Sequence, residues 1–189
     1  MKSLAIHFDA VSGRAPGCEP LHRRLSHMSG MFHDEAAYGA LIAAGNPLIY
    51  EFYDLERPAT EAEIAFGTSI LFPGKVGDEF YMTKGHFHEI LNTAEVYHCL
   101  RGRGYMLMES RGGECELREM VPGTAVYVPP GFAHRSINVS PTDPLITFFA
   151  FRADAGHDYG SIERKGFRKL LVDRGGKPEL IDNPKWKQP

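Results

Sequence analysis

Two stretches of this sequence decide its fold: GHFHEILNTAEVYHCLRG at residues 85–102 and GTAVYVPPGFAHRSIN at residues 123–138. Each joins a turn marked by Gly or Pro to a short run of Val, Ile, Tyr or Phe, which is typical of a β-strand. Their polar positions include His86, His88, Glu95 and His134. Three imidazoles and one carboxylate form a ligand set for a divalent transition metal, with positions left open for a substrate. We therefore predict a metal-binding site on a β-rich scaffold.

Alternation along the strands predicts which side chains converge. Residues two apart on a strand point to the same face, so His86 and His88 are expected to face the interior together. The same rule sends Glu95 and Tyr97 inward and His98 outward on the next strand. Polar groups at positions that a packed barrel fills with aliphatics indicate a functional site.

Further strand-like runs extend on both sides of these stretches. From Pro47 onward, short runs rich in Ile, Val, Phe and Tyr recur between Gly, Pro or Asp residues, and Arg111-Gly112-Gly113 has the composition of a hairpin turn. About nine strands at this spacing predict an all-β fold, a closed antiparallel sandwich or barrel. The runs are PLIYEFYDL, EIAFGTSILF, EFYMT, EVYHCLR, YMLMES, CELREMV, AVYVP, HRSINV and LITFFAF.

The length of 189 residues suits a single domain, which we divide into three segments. Residues 1–46 are an N-terminal arm with one helix, which Asp34 caps and Gly45 ends. Residues 47–152 form the barrel core. Residues 153–189 pack on the outside of the barrel, with a strand at Lys169–Val172 and Trp186 as an apolar anchor.

Composition limits the function classes. The net charge of −3 provides no field that favours nucleic acid or an anionic membrane, and the short cluster Arg23-Arg24 is interpreted as solvated surface. The apolar run near the N-terminus is too short for a signal peptide, and no stretch has the length of a membrane span. Three cysteines without a CxxC pair favour a reduced, cytoplasmic setting.

The second stretch resembles the second conserved motif of the cupin superfamily at every position of that motif. The matching residues are Gly123, Pro129, Gly131, His134 and Asn138. The first stretch carries the cupin HxH, but six residues separate His88 from Glu95, which is longer than the generic first motif.

With this longer spacing, the chain resembles one family of cupins, the cupin-type glucose-6-phosphate isomerases. The resemblance extends from about residue 47 to the C-terminus, and the RRLSHMSGMFHDE stretch near residue 23 also fits it. It is carried by TKGHFH, the delayed AEVY, PGTAVYVPP, AHR, ADAGHDYG and DNPKW. It implies a cupin (jelly-roll type) β-barrel that interconverts glucose 6-phosphate and fructose 6-phosphate in glycolysis and gluconeogenesis.

The resemblance also implies cofactor, partners and metal ligands. One divalent ion per subunit is expected on His86, His88, Glu95 and His134, with Fe²⁺ favoured and Mn²⁺, Zn²⁺ or Ni²⁺ compatible with the same donors. Beyond the sugar phosphate, a second copy of the chain in a homodimer is the partner that the family implies. No nucleic-acid or membrane partner is expected.

The remaining site residues follow from the same resemblance. Glu95 is the base candidate and Tyr97 the proton relay between the sugar oxygens, although a hydride shift would need no base. Where the family has a tyrosine six residues before the histidine of AGHDYG, this chain has Phe151. Lys84 can supply charge, but alternation aims it away from its neighbours. The substrate-binding candidates are Tyr50, Ser69, Thr83, Gly85 and His157.

Two other functions stay open at this point. Another metal-dependent cupin enzyme, such as a dioxygenase or a different sugar-phosphate isomerase or epimerase, would use the same ligands. An oxygenase would favour a more apolar pocket than one lined by Thr83, Tyr97 and Ser136. A non-catalytic sugar-binding cupin is the alternative from a different class, and such modules often lose a ligand that this chain keeps.

Overall fold

The computed structural model describes residues 3–55 and 57–187, so the outermost two residues of the predicted arm and of the C-terminal segment lie outside the described residues. Strand is the main secondary structure of the described chain. The strands are β1 (Leu21–Arg24), β2 (Leu48–Leu55), β3 (Ile64–Leu71), β4 (Lys75–Val76), β5 (Glu79–Phe80), β6 (Glu95–Arg101), β7 (Gly104–Ser110), β8 (Cys115–Met120), β9 (Ala125–Val128), β10 (Phe132–Asn138), β11 (Leu145–Arg152), β12 (Lys169–Asp173) and β13 (Pro178–Asp182).

The strands pair into three antiparallel sheets. The largest has the order β1-β2-β3-β11-β6-β9, a second has β10-β7-β8, and a third has β13-β12-β5-β4. One hydrophobic core joins all three, with Ile49 and Leu71 from the first sheet, Met106 and Met108 from the second, and Leu171 from the third. The all-β class and the antiparallel barrel predicted from the sequence are confirmed.

Each strand-like run in the sequence corresponds to a strand, and the turn at Arg111–Gly113 is present, closed by the Ser110 N–H on the Glu114 carbonyl at 2.9 Å. Strands β1, β4 and β13 were not predicted. The LHRR sequence of β1 has little apolar content, and its extended form comes from pairing, as the edge strand of the sheet, with β2. Such non-local pairing leaves no periodicity in the strand itself.

Two α-helices and one 3₁₀ helix complete the described chain. Helix α1 (Glu35–Ala43) begins as predicted, because Asp34 Oδ1 accepts the Ala37 N–H at 2.9 Å. The 3₁₀ helix Leu25–Met28 precedes it, and helix α2 (Tyr159–Lys165) lies in the C-terminal segment. That segment is tied to the barrel by the pairing of β12 with β5.

None of the helices in the described residues is long and apolar enough to cross a bilayer.

Candidate metal centre and active site

The four predicted metal ligands are brought together by three segments of the chain. His86 and His134 form an antiparallel bridge in which each backbone N–H donates to the other's carbonyl, at 3.3 and 3.1 Å. His88 follows His86 on the same side, with ring centroids 5.6 Å apart. Glu95 opens β6, next to β9 and β11. Three extended segments therefore point four side chains at one spot.

The donor atoms of this cluster have the spacing of a coordination shell. One ligand atom from each of the four residues lies within 4.8 Å of all the others. Glu95 Oε2 is 3.1 Å from His88 Nε2 and 3.0 Å from His134 Nε2. Adjacent ligands in an octahedron with bonds of about 2.1 Å are separated by about 3 Å. The arrangement fits a divalent transition metal.

Hydrogen bonding gives an independent test of that fit. Within the described residues, Nε2 of His86 is buried without a hydrogen-bond partner, and Nε2 of His134 contacts Glu95 outside hydrogen-bond geometry. Leaving such a nitrogen unpaired costs about 1–3 kcal/mol unless something binds it. Burial, reinforced by the nearby His134 and His157 rings, lowers the pKa of His86 well below its usual value. A neutral imidazole with a free lone pair is the form that binds a metal.

Thr93 fixes the orientation of the His88 ring. Its hydroxyl donates to the Ile90 carbonyl at 2.5 Å, so the hydroxyl oxygen, 2.7 Å from His88 Nδ1, acts as the acceptor. The Thr93 carbonyl lies 3.2 Å from the same nitrogen. His88 therefore carries its proton on Nδ1 and turns the lone pair of Nε2 toward Glu95.

Replacing Thr93 with valine is expected to lower metal affinity about tenfold, at the low end of the effect of an orienting partner, because the Thr93 carbonyl remains. The measurement is competition with a chelator of known affinity. Thr147→Val is the matched control, since the Thr147 hydroxyl is equally buried and has no hydrogen-bond partner among the described residues. Equal affinity in the two variants would show that the threonine does not orient the ligand.

Glu95 and Tyr97 are a contacting pair with opposite proton affinities. Burial acts to raise the pKa of Glu95, but the His134 and His88 imidazoles outweigh it and hold the pKa well below its usual range. Burial, together with the charge and the hydrogen bond of Glu95, raises the pKa of Tyr97 well above its usual value. A carboxylate that is ionised therefore sits beside a phenol that keeps its proton.

A cavity open to solvent lies over the cluster. Nine of the ten predicted site residues line it, while His88 belongs to the donor cluster without lining the cavity. The nine are Tyr50, Ser69, Thr83, Gly85, His86, Glu95, Tyr97, His134 and His157. Nine residues that the sequence analysis proposed for the site therefore lie around one cavity.

Gly85 is required where the chain passes the metal ligands. Its φ is +75°, and a Cβ there would lie 2.6 Å from the ring of Phe167 and 3.0 Å from the His134 carbonyl. Next to it, Thr83 Oγ1 accepts the Ser136 N–H at 3.0 Å. The segment therefore runs closely along β10 and turns its polar groups into the cavity.

Arg23 corrects one prediction. The sequence reading placed it on the solvated surface, but β1 pairs Arg23 with Tyr50, and the charge of Arg23 acts to lower the pKa of the Tyr50 hydroxyl against the larger effect of burial. It also lines a shallow cavity with Lys84 and Tyr159. The pairing of β1 with β2 brings the Arg23 charge to this position. In the sequence, the one sign of this placement was the resemblance of the RRLSHMSG stretch to the family.

Tyr159 is a second residue that sequence reasoning missed. Its ring stacks on His157 at 5.7 Å and 11°, and lies 5.3 Å from the His86 ring. The signal was present, because Tyr159 is part of the AGHDYG motif. Lys84 was predicted to point away from its neighbours, but it lines the cavity over the metal cluster, where its ammonium pairs with Glu163 at 2.6 Å and lies 5.5 Å from the Tyr159 ring.

Phe151, where the family resemblance implied a tyrosine, forms an apolar wall. Its ring stacks on His88 at 5.9 Å and on Phe149 at 6.0 Å, and meets His157 edge-on at 5.3 Å. The Phe151 ring thus packs against two histidines of the site.

Comparison with known proteins shows the same family along almost the whole chain. A family model described as glucose-6-phosphate isomerase matches residues 22–187. The glucose-6-phosphate isomerase of Thermococcus gammatolerans is 44% identical over 185 residues, covering 98% of this chain and 97% of its own. That of Thermococcus litoralis is 46% identical over 184 residues, covering 97% and 96%. That of Pyrococcus furiosus is 44% identical over 185 residues, covering 98% and 97%.

Among solved structures, one described as giving insights into the mechanism of oxalate oxidase matches with a TM-score of 0.51 and 15% identity. The match covers 65% of this chain and 60% of that chain. Similarity at this level of identity concerns the cupin β-barrel fold alone.

Proposed function

The chain belongs to the glucose-6-phosphate isomerase family, and from that membership we propose that it interconverts glucose 6-phosphate and fructose 6-phosphate with a divalent metal ion held by His86, His88, Glu95 and His134. The observation that carries the proposal is the buried four-donor cluster beneath a cavity lined by hydroxyls and aromatic rings. The reaction moves hydrogen between C1 and C2 of the sugar and a proton between O1 and O2.

The bound ion supplies positive charge that polarises the sugar carbonyl and stabilises the negative charge developing on neighbouring oxygens. Fe²⁺ is our proposed native ion, and Mn²⁺, Zn²⁺ or Ni²⁺ can occupy the same donors. We further propose a cytoplasmic homodimer, as the family resemblance implies.

Glu95 is the proposed base. Its Oε2 faces both His88 and His134, so Oε1 is left to take a proton from the sugar carbon without the carboxylate leaving the cluster. Tyr97, hydrogen bonded to Glu95, is placed to pass a proton between the two sugar oxygens. Its raised pKa keeps that proton available at neutral pH.

The phosphate group is proposed to bind at the end of the cavity formed by Tyr50, Ser69, Thr83 and Gly85. Hydroxyls and a backbone N–H suit the oxygens of a phosphate. Arg23 adds the positive charge that this set lacks, because β1 pairs it with Tyr50 and its charge acts on the Tyr50 hydroxyl. His157 is proposed to contact the sugar. Burial lowers the pKa of His157, so the imidazole is neutral at pH 7.

Metal removal tests the proposed function directly. Dialysis against a chelator is expected to reduce isomerase turnover about a thousandfold, since the charge stabilisation that a metal supplies is worth several kcal/mol. Turnover should return on adding about one equivalent of a divalent ion. Assaying each of the four ions in the absence of oxygen identifies the best activator and separates isomerisation from oxygenase chemistry. Undiminished turnover in metal-free protein would contradict the proposal.

A further inference from the structure

A second cavity, which shares no lining residue with the first, lies between helix α2, the C-terminal segment and the start of α1. It opens to solvent. Basic residues predominate in its lining: Arg135, Arg164, Lys165, Lys185 and Lys187 stand against Glu35 and Glu163. An excess of cations around a cavity favours an anionic ligand.

Arg135 lines the cavity with a buried and incompletely paired guanidinium. The residue is 3% exposed, and within the described residues its Nε has no hydrogen-bond partner. Nη2 donates to the Lys84 carbonyl at 3.2 Å, while Nη1 has only the Met82 sulfur, a weak acceptor, at 2.6 Å. The Phe167 ring lies 4.0 Å from Cζ. No carboxylate of the described chain forms an ion pair with it, although a buried charge normally has one.

The nearest buried carboxylates already have partners. Glu109 pairs with Lys165 and also accepts the Arg168 N–H at 2.5 Å. Glu79 Oε2 accepts from the His33 ring at 3.0 Å, while Glu79 Oε1 is buried without a hydrogen-bond partner in the described residues. The hydrogen bond to Glu79 raises the pKa of His33 and outweighs burial, which lowers it. Neither Glu109 nor Glu79 forms an ion pair with Arg135, so its guanidinium lacks a direct counter-ion in the described chain.

Trp186 provides a second unpaired donor in the same cavity. Its Nε1 is buried and has no acceptor among the described residues, while the Arg168 guanidinium lies 5.5 Å from its ring. Two buried N–H donors without acceptors, Arg135 Nε and Trp186 Nε1, thus belong to the lining of one cavity. A ligand rich in acceptors would satisfy both.

The charges at the cavity rim do not cancel. Lys185 pairs with Glu35, and Glu163 pairs with Lys84, which leaves neither acidic residue free. Arg164 and Lys187 form no ion pair in the part of the chain that the structure describes. Three positive charges, with Arg135, are therefore available to a ligand.

We propose that this cavity binds a phosphate dianion, either inorganic phosphate or the phosphate group of a small metabolite, on Arg135 and Trp186 with Arg164 and Lys187 at its rim. Bidentate contact with guanidinium and planar N–H donors suit phosphate geometry. The inference does not rest on the isomerase reaction, because no residue of the cavity belongs to the proposed catalytic site.

Trp186 makes the proposal testable, since it is the only tryptophan of the chain. Tryptophan emission of the metal-loaded full-length protein is followed while inorganic phosphate, or glycerol 3-phosphate, is added at constant ionic strength. Phosphate at the active site touches no residue of this cavity and should leave the emission unchanged. We expect a saturable change in emission with at least one of the two probes, and which one binds more tightly distinguishes the source of the phosphate.

Exposed rim residues supply the variants, because replacing the buried Arg135 risks unfolding the protein. Arg164→Gln combined with Lys187→Gln is expected to raise the half-saturating concentration about tenfold, the loss of roughly one charge-assisted contact. Lys177→Gln, which removes a cation away from the cavity, should match the wild type. An emission change that chloride reproduces, a response that the double variant leaves unaltered, or the absence of any saturable change would overturn the proposal.

Discussion

Replacing His134 with alanine is expected to remove the metal ion and, with it, isomerase turnover. The imidazole is 1% exposed and contacts Glu95, and its loss takes away one of only four donors. Altering a residue that merely orients a ligand costs about 10–100-fold in metal affinity, so loss of the ligand itself should cost more than about a hundredfold. Elemental analysis after gel filtration, with turnover measured on the same sample, checks both effects.

The control for this variant is His98→Ala, which removes an imidazole from β6 on the opposite face from Glu95 and should leave both quantities near wild type. His134→Gln retains more side-chain volume, and the backbone bridge between His134 and His86 survives in either variant. Loss of metal in folded His134→Gln protein therefore reports coordination rather than packing. Full metal content in that variant would remove His134 from the ligand set.

The metal cluster was predictable because it depends on local rules. Alternation along a strand fixed the inward direction of His86 and His88, and the motif around His134 supplied its turn chemistry. The six residues between His88 and Glu95 form a loop, and for that reason Thr93 and its bond to His88 could not be anticipated. Strand periodicity carries no information about which carbonyl or hydroxyl a loop brings back to a ring.

Features that combine distant segments of the chain could not be predicted from local sequence patterns. Arg23 lies beside Tyr50 because β1 pairs with β2, although LHRR itself has the composition of solvated surface. The basic cavity around Arg135 combines α2, the C-terminal segment and β10, none of which is unusually charged by itself. The position of Arg23 and the basic cavity both depend on tertiary packing. The number of main strands and their succession along the chain instead follow from local composition.

Replacing Glu95 with glutamine is expected to lower kcat about a thousandfold while KM changes by less than about fivefold. General base catalysis contributes about 10²–10⁴-fold, and a neutral amide of the same shape cannot accept the proton. Sugar and phosphate contacts from Tyr50, Thr83 and His157 are unchanged, so binding should survive. Steady-state kinetics on protein of measured metal content gives both constants. Glu89→Gln, a nearby but exposed carboxylate, is the matched control.

Isotope exchange of the hydrogen that moves between C1 and C2 shows whether Glu95 acts as a base or only as a metal ligand. If Glu95 takes a proton from the sugar carbon, the wild-type protein incorporates solvent deuterium at C2 of glucose 6-phosphate formed from fructose 6-phosphate in heavy water. Glu95→Gln, assayed with the divalent ion in excess and its metal content measured, should then lose deuterium incorporation and turnover together. Product formed by the wild type without solvent deuterium would instead indicate a hydride shift, and Glu95 would be left as a metal ligand alone. Wild-type turnover in metal-loaded Glu95→Gln would likewise remove it as the base, because the carboxylate charge in the Glu95–Tyr97 pair is what makes proton abstraction feasible.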